Sequence, residues 1–271
     1  MQIVNAVRPL QPVRNGVTRP FILLGDDGNS YYTKFQQNPE GTRVLANEYV
    51  SAKIAEHLSL PLASPTLINL DTQFIETYGQ EITSHIECEV GLSMGLHFGT
   101  KKVNKAYQIL NSKMLEPATN LSCIPEIILF DQLICNTDRD KNGGNLIFDQ
   151  AKMKVVVIDH SHVFDIGALW DAHQLRLRVG SQFEPFTQNG YIFRKLVPFV
   201  RGHNPFDTIV AKMLGITNEH LWDIISSIPE EWSIPYDDKT ALHEYLCDRL
   251  HRIDEALEVL KPQLPYWKGG S

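Results

Sequence analysis

The stretch LICNTDRDKNGGNLIFDQAKMKVVVIDHSHVF, residues 133–164, carries most of what the chain reveals about its fold and chemistry. A polar loop begins at Asp138, ends at Asn145 and is followed by a short apolar run. A turn and the β-branched run 155–158 then lead to Asp159. This pattern predicts a loop and a β-hairpin that returns a second acid towards the first. One carboxylate to orient and deprotonate a hydroxyl acceptor, with an amide and another carboxylate to hold Mg²⁺ on phosphates, is the set that phosphoryl transfer requires.

Each residue of this set also has a purely structural interpretation. Asp138 could form an Asx turn after the preceding helix, and Asn145 could stabilise the turn made with the adjoining glycine pair. Asp159 ends an apolar strand, where a carboxylate is costly to bury unless it is paired, for example with Arg139, or bound to a metal. Asp140 is a rival to Asp138 as the base, because the sequence does not decide which aspartate faces the cleft.

A second cluster lies about a hundred residues upstream. Lys34 lies within the strand pattern YYTKF, and Glu48 lies in the helical pattern that follows. A strand lysine is usually an edge or surface residue, since lysine is rarely buried. A strand lysine followed by a helix glutamate is also the arrangement in which the lysine binds nucleotide phosphates and the glutamate holds it in place.

The loop RNGVTRP, residues 14–20, connects the first two predicted strands. It could be an ordinary hairpin loop, or its backbone amides with Asn15, Gly16 and Thr18 could contact a triphosphate. It lacks the GxGxxG pattern, and the chain contains no GxxxxGK[ST], which excludes a P-loop NTPase.

A competing hypothesis is a transition-metal site built on Asp159, His160 and His162, with His97 as a further ligand. On a continuing strand the two neighbouring histidines would share one face while Asp159 pointed to the other. The chain also lacks HExxH and a cysteine–histidine zinc spacing, so this hypothesis ranks below the magnesium site.

Composition narrows the class of protein. The 271 residues carry a net charge of −7, which argues against broad binding to nucleic acid or to anionic membranes. The N-terminus does not have the pattern of a signal peptide, and no apolar run is long enough to span a membrane. Four separated cysteines, Cys88, Cys123, Cys135 and Cys247, are expected to be free thiols in a reducing, cytoplasmic environment.

The order of predicted elements indicates an α+β fold with two lobes. Residues 1–91 are expected to form a β-rich lobe with one helix at 42–60 and strands that include 74–77 and 82–90. Gly91, Gly95 and Gly99 are interpreted as a linker. Residues 92–268 are expected to form a helical lobe, with helices at 125–135 and 240–260 among others, and 269–271 a tag remnant or tail.

The motifs YYTKF, ANEYVSAKIAEHLSLP, NTDRDKNGGNL and VVVIDHSHVF together resemble the HipA-like kinases, bacterial relatives of the phosphatidylinositol 3/4-kinases and, more remotely, of protein kinases. The resemblance runs from about residue 7 to Asp159 and is looser over the C-terminal helices. It implies a protein-kinase-like fold with a β-rich N-lobe and a mainly helical C-lobe. It implies that Asp138, beside Arg139, is the catalytic aspartate and that Asn145 and Asp159 are magnesium ligands. It also implies that Lys34, anchored by Glu48, binds the phosphates. Residues 86–91, including Ile86 and Glu87, would form the hinge that binds adenine.

Two features depart from the kinase pattern. The interval from Asp138 to Asn145 is two residues longer than usual, whereas the interval from Asp140 is of the usual length. The pair His160-Ser161 stands where protein kinases carry Phe-Gly after the metal-binding aspartate, so a flipping switch of that kind is in doubt.

The expected function is therefore an ATP- and Mg²⁺-dependent kinase that transfers the γ-phosphate to a hydroxyl acceptor, expected to be Ser or Thr of a protein. The alternatives are a nucleotide-binding pseudokinase or regulator, a kinase of small molecules or lipid headgroups, a nucleotidyl transferase and a metallohydrolase. The resemblance allows a regulatory or antitoxin partner. Neither nucleic-acid binding nor membrane binding is expected.

Overall fold

The computed structural model describes residues 1–14, 16–87, 91–139, 145–184 and 191–269. The N-terminal part is a closed barrel of five strands in the order β1-β2-β3-β5-β4. These strands are β1 Gln2–Pro12, β2 Phe21–Gly25, β3 Ser30–Lys34, β4 Pro65–Leu70 and β5 Gly95–Lys101. Neighbouring strands are antiparallel except β1 and β4, which are parallel. Buried side chains such as Phe21, Leu23, Tyr31 and Ile68 form a core of their own within this part.

Helix α1, Arg43–His57, follows β3 and confirms the helix predicted over 42–60. Residues 44–52 are all buried, because the helix lies between the barrel and the helices of the C-terminal part. The helical spacing of apolar residues predicts this element correctly, because nearly all of those residues are buried against neighbouring elements.

Helix α2, Thr72–Ile86, contradicts the strands that we predict at 74–77 and within 82–90. The side chain of Asp71 caps this helix by accepting a hydrogen bond from the Phe74 N–H at 2.7 Å. Phe74, Ile82 and Ile86 recur at helical spacing and are buried against the barrel core. The short apolar runs in this segment have the composition of strands. The helical spacing of its apolar residues becomes visible only when the whole segment is considered.

Strand β5 contradicts the glycine linker that we predict near residue 95. Gly95 and Gly99 both lie in β5, which pairs with β3 and β4 and closes the barrel. A Cβ at position 99 would lie 2.5 Å from Cγ1 of Ile68, so glycine allows the close approach of β4 and β5. The expected lobe boundary at residue 91 therefore precedes the last strand of the barrel.

The C-terminal part contains a three-stranded antiparallel sheet and most of the helices. The strands are β6 Ala106–Gln108, β7 Leu146–Asp149 and β8 Lys154–Val157. The helices are α3 Cys123–Leu133, α4 Ala172–Arg176, α5 Tyr191–Leu196, α6 Asp207–Leu214, α7 Asn218–Ser226, α8 Tyr236–His251 and α9 Ile253–Leu260. The hairpin β7–β8 confirms the prediction for the stretch 133–164. Helix α3, whose residues are all buried, confirms the helix predicted over 125–135.

The helix predicted over 240–260 is two helices. The chain leaves the helical conformation at Arg252, where φ is −112° and ψ is 31°. The guanidinium of Arg252 bonds to Asp248 on one side of the break and to Glu255 on the other, which stabilises the junction. Apolar periodicity continues through the break and therefore does not reveal it.

Three cysteines, Cys123, Cys135 and Cys247, are free thiols, as predicted, and Cys88 lies outside the described residues. Within the part of the chain that the structure describes, none of the helices combines the length and the apolar character needed to cross a membrane.

Candidate active site

Lys34 joins the two parts of the molecule through a shared ion pair. It is the last residue of β3, and its Nζ donates to the carboxylate of Glu48 on α1 and, at 2.7 Å, to Oδ1 of Asp159 after β8. The Lys34 and Glu48 side chains are only 12% and 4% exposed. The pairing brings together residues that are 125 positions apart in the sequence.

The three charges alter one another's protonation. Burial raises the pKa of the Glu48 carboxyl to about 7, with a further contribution from Asp159 that Lys34 opposes. Burial lowers the pKa of Lys34, but Asp159 and Glu48 outweigh it and raise that pKa above its ordinary value. Burial likewise raises the pKa of Asp159, but the Lys34 ammonium and the Ser161 hydroxyl hold that pKa well below its usual range. Lys34 and Asp159 are therefore both charged at neutral pH.

Asp159 lies where the chain turns out of β8. Its φ is +57°, a left-handed conformation that is uncommon for residues other than glycine and is frequent at functional sites. Its Oδ1 accepts from the N–H of Ser161 at 3.2 Å and from the hydroxyl of Ser161 at 2.7 Å. The carboxylate remains about a third exposed, so it can be reached from the cleft.

Asp138 and Asn145, at the two ends of the polar loop, contact each other. Nδ2 of Asn145 donates to Oδ2 of Asp138 at 3.2 Å, and Asn145 also has a positive φ, of 40°. Asp140, the rival base, lies outside the described residues. The structure thus brings one candidate base next to one candidate metal ligand.

Arg139 points away from the cleft into the interior. It is 2% exposed, and its Nε and Nη2 form a fork with Asp131 of α3 at 2.8 and 2.9 Å. Its Nη1 donates to the backbone carbonyls of Asn145 and, at 3.0 Å, of Ile158. The alternative in which Arg139 pairs with Asp159 is therefore wrong, because the Arg139 guanidinium pairs with Asp131 instead.

The three histidines of the transition-metal hypothesis have separate partners. His97 accepts from the N–H of Gln36 at 3.0 Å and donates to the carbonyl of Ser93 at 3.1 Å. His160 is buried and receives a hydrogen bond from Arg139 at 3.2 Å. Burial, with the nearby Arg139, lowers the pKa of His160 well below its ordinary value. Among the described residues, no group of three or more His, Cys, Asp or Glu could hold a metal ion.

His162 donates from Nε2 to Oε1 of Glu40 at 2.7 Å, across the cleft. Its Nδ1 lies 3.0 Å from the Ser161 hydroxyl and 3.9 Å from Oδ2 of Asp138. The hydrogen bond to Glu40 raises the pKa of His162 above its ordinary value, against a smaller effect of burial. The histidine thereby links the loop before α1 to the candidate base, a contact for which the sequence carries no local signal.

A pocket of about 370 Å³ adjoins this cluster, between the barrel and the C-terminal sheet. Lys34, Glu48 and Asp159 line its charged end. The rest of the lining is mainly apolar and comes from both parts of the molecule: Val13, Pro20, Ala63, Phe98, Val103, Ala106, Ile147 and Ile158. Its size and its mixed lining are typical of a site for a small organic ligand with one polar or charged end.

The comparisons with known proteins agree with this geometry. The family model of the HipA-like kinases matches residues 6–268. The chain belongs to the HipA-like kinase family. No curated protein sequence shows a significant match.

One solved structure shows the same fold for this HipA-like kinase. The crystal structure of CtkA, a proinflammatory kinase of Helicobacter pylori, is similar over 92% of this chain and 94% of that chain, with 14% identity and a TM-score of 0.55. Two structures of the Golgi casein kinase, one with Mn and ADP bound, match at TM-scores of 0.45 and 0.44. They are 10% and 11% identical and cover 100% and 95% of this chain, and 77% and 73% of theirs. The similarity to CtkA and the match to the family model confirm the predicted kinase-like α+β fold.

The residues that we expect to form the adenine-binding hinge lie elsewhere. Ile86 ends α2 and is buried in the barrel core, and Glu87 follows it and pairs with Arg19 at 2.6 Å. Neither residue lines the pocket, and Thr100, Lys101 and Val103 line it instead. A hinge is expected after the last strand of the N-lobe, and that strand is β5, whereas residues 72–86 form α2. The sequence signal for a helix in this segment is Asp71, a good N-cap residue, followed by apolar residues at helical spacing.

Among the described residues of the loop predicted to contact phosphates, Pro20 lines the pocket, as does Val13 just before the loop. Gly16 and Thr18 are not among its lining residues. Gly16 accepts a backbone hydrogen bond from Arg19 at 3.1 Å, and Thr18 is buried. Asn15 lies outside the described residues.

Proposed function

We propose that this HipA-like kinase transfers the γ-phosphate of ATP, with Mg²⁺, to a hydroxyl acceptor, Ser or Thr of a protein. The observation that carries the proposal is the ion-paired cluster of Lys34, Glu48 and Asp159 at the charged end of a mainly apolar pocket. Adenine fits the apolar lining, and the phosphates fit the end that bears the lysine.

The candidate metal ligands have the chemistry that Mg²⁺ prefers. Asn145 and Asp159 provide amide and carboxylate oxygens, and both extend from the same hairpin, where Ile158 N–H donates to the Asn145 carbonyl at 3.1 Å. A magnesium ion held there would neutralise charge on the phosphates. The buried guanidinium of Arg139 supports this arrangement, since it donates to the carbonyls of Asn145 and Ile158. We therefore assign Arg139 a positioning role.

Asp138 is the proposed base. Its carboxylate is held by Asn145, and it would orient the acceptor hydroxyl and take its proton. Catalysis then rests on positioning and on electrostatic stabilisation of the transferred phosphoryl group, as in other kinases. Asp140 remains the alternative base.

The test is a comparison of single variants. We expect Asp138→Ala and Asp159→Ala each to abolish ATP turnover and phosphate transfer while the fold stays intact. Asp237→Ala, which alters an exposed carboxylate, is the matched control and should keep wild-type activity. Turnover retained by Asp138→Ala would contradict the assignment of the base and would transfer it to Asp140, for which Asp140→Ala is the next variant.

The acceptor and the type of reaction need a separate experiment. Incubation with ATP, Mg²⁺ and cell lysate, followed by mass spectrometry, is expected to find phosphate on a serine or threonine. Added AMP would indicate nucleotidyl transfer, and a phosphorylated small molecule or lipid headgroup would correct the acceptor. Nucleotide binding without any transfer would identify a pseudokinase.

A further inference from the structure

A second cavity, of about 450 Å³, adjoins the nucleotide pocket near residues 101–104. Its walls come from three segments that are far apart in the sequence: residues 60–64 before β4, residues 101–104 after β5 and residues 149–156 of the β7–β8 hairpin. The proposed kinase mechanism uses none of its charged residues. We call this cavity the lysine pocket.

Four lysines line the lysine pocket: Lys101, Lys102, Lys152 and Lys154. Asp149 is the one acidic residue among its lining residues, so the pocket carries a formal charge of +3 in a chain whose net charge is −7. Positive charge is thus concentrated in a concave site of a protein that is acidic elsewhere. Such a concentration focuses the electrostatic field on the cavity and attracts anions.

Asp27 interacts electrostatically with Lys101, but beyond ion-pair distance. Within the described parts of the chain, none of the four ammonium groups has an ion pair within 4.0 Å. Asp149 is nearly fully buried, and its Oδ1 accepts from the N–H groups of Ala151 and Lys152 at 2.9 and 3.1 Å in the hairpin turn. Four like charges around one cavity repel one another, and a bound anion would remove that cost.

Backbone contacts hold the lysine-bearing segments in place. The N–H of Lys101 donates to the carbonyl of Ser64 at 2.9 Å, and the N–H of Lys102 donates to the carbonyl of Ser30 at 2.8 Å. Lys154 lies in β8, where it pairs with Asp149 in register. The charges therefore extend from ordered backbone, which lowers the entropy that a ligand must overcome to bind.

We propose that the lysine pocket binds a phosphate-bearing anion. Lysine is a common phosphate ligand in proteins, and Ser64 and Asn104 in the same lining can donate neutral hydrogen bonds. The volume suits a small phosphorylated molecule or one phosphorylated side chain. An extended polynucleotide is disfavoured, because it needs a continuous basic track across a surface that is acidic overall.

The position of the lysine pocket links it to the nucleotide cleft. Ala63, Lys101 and Val103 line both cavities. An anion held by Lys101 and Lys102 therefore contacts the segment that also borders the proposed adenine site. This arrangement allows the anion to change nucleotide affinity, and nucleotide to change anion affinity by the same factor.

The test uses calorimetric titration of inorganic triphosphate in metal-free buffer. The variant Lys152→Gln/Lys154→Gln removes two charges from exposed side chains that do not line the nucleotide pocket. We expect it to lose one binding event or to weaken that event by about tenfold. Arg201→Gln, which removes an exposed charge elsewhere, should bind as the wild type does. Any triphosphate that enters the cleft beside Lys34 contributes equally to all three proteins.

Identical isotherms for the wild type and the double variant would overturn the proposal, and so would an equal loss in Arg201→Gln, which would indicate non-specific attraction. Thermal unfolding midpoints that match among the three proteins establish that the fold is intact. If the double variant unfolds, Lys102→Gln measured alone replaces it, with the same expected weakening.

A second titration identifies the source of the phosphate. A fluorescent peptide with one phosphoserine and the same peptide with serine are compared by fluorescence anisotropy. Binding of the phosphopeptide alone, with its loss in the double variant, supports the site and identifies a phosphorylated side chain as its ligand. Binding of triphosphate but of neither peptide supports the site and identifies a free anion. Binding of no probe in a lysine-dependent way overturns the proposal.

Discussion

Lys34 is the residue on which the proposed site depends most. It is the cation between two carboxylates, one buried and one about a third exposed. Its removal leaves both carboxylates without a charged partner in a poorly solvated position. Glu48 can relieve part of that cost by taking up a proton, since its pKa is already about 7.

For Lys34→Ala we therefore expect two effects: a loss of about 2–3 kcal/mol in the free energy of unfolding and a fall of about 100-fold or more in kcat/KM for ATP. Denaturant titration and steady-state kinetics measure them. Lys53→Ala, which alters a lysine that packs on Tyr49 at the surface of α1, is the control and should change neither quantity much. Unchanged ATP affinity and rate in Lys34→Ala would contradict its role.

His162 and Glu40 give a prediction about pH. Because Glu40, with smaller contributions from Asp138 and Asp159, raises the pKa of His162 in the folded state, the charged pair stabilises the fold below pH 6.5. That contribution is lost as the pH rises through the folded-state pKa of His162. In Glu40→Gln the NMR titration of His162 should move to lower pH. The stability difference from the wild type should be below about 1 kcal/mol, present near pH 6 and absent near pH 9.

Thermal unfolding midpoints of the two proteins at pH 9 should match, which establishes that the fold is intact in Glu40→Gln. An unchanged titration of His162 in Glu40→Gln would show that the hydrogen bond across the cleft does not form in solution.

At the scale of elements, the two ends of the proposed catalytic loop depend on helix α3. Asp131 on α3 holds Arg139, and Arg139 holds the carbonyls at the start of β7 and the end of β8. Three elements are therefore fixed relative to one another by one buried guanidinium. Local pattern predicts α3 and the hairpin correctly but does not reveal this connection, because Arg139 could equally have paired with Asp159.

For Arg139→Met we expect a loss of about 3–5 kcal/mol in the free energy of unfolding, since Asp131 would remain buried without its partner. Activity should also fall, although Arg139 does not contact the proposed reacting atoms. Arg178→Met breaks a more exposed pair with Asp165 and should cost less than about 1 kcal/mol. Similar losses for the two variants in chemical denaturation would contradict the assigned role of Arg139.

At the scale of the whole molecule, the nucleotide pocket is built from both parts of the chain. A ligand that contacts the barrel and the C-terminal sheet together stabilises the folded state by mass action. At about 100 times its Kd, ADP with Mg²⁺ should add about 2.7 kcal/mol. This corresponds to a rise of about 5–10 °C in the thermal unfolding midpoint of a protein of this size.

Calorimetry with and without EDTA separates the contribution of the metal. In Asp159→Asn we expect the part of the shift that depends on Mg²⁺ to disappear, while the control Asp237→Asn keeps it. A midpoint that stays constant up to saturating ADP and Mg²⁺ would contradict nucleotide binding in this pocket.

The sequence by itself determined the elements whose pattern is local, and it determined the family. Helix α1 and the hairpin β7–β8 follow from apolar spacing and turn residues, which act over a few positions. Short apolar runs led to the wrong prediction of strands in α2. Only the buried face of the helix and the Asp71 cap distinguish it from a strand. The glycines of β5 led to the wrong prediction of a linker. Gly99 instead allows the close approach of Ile68 in the neighbouring strand, a contact between distant residues.

The tertiary structure alone decided which distant residues meet. Lys34 bonds to Asp159, and Asp131 holds Arg139. Thr100, Lys101 and Val103 border the pocket, whereas Ile86 and Glu87 do not. The lysine pocket likewise gathers three separate segments of the chain. Such contacts depend on how whole elements pack, and local spacing carries no information about their direction or distance. Motifs in one chain can thus indicate that a kinase site exists, whereas the fold determines which side chains form it.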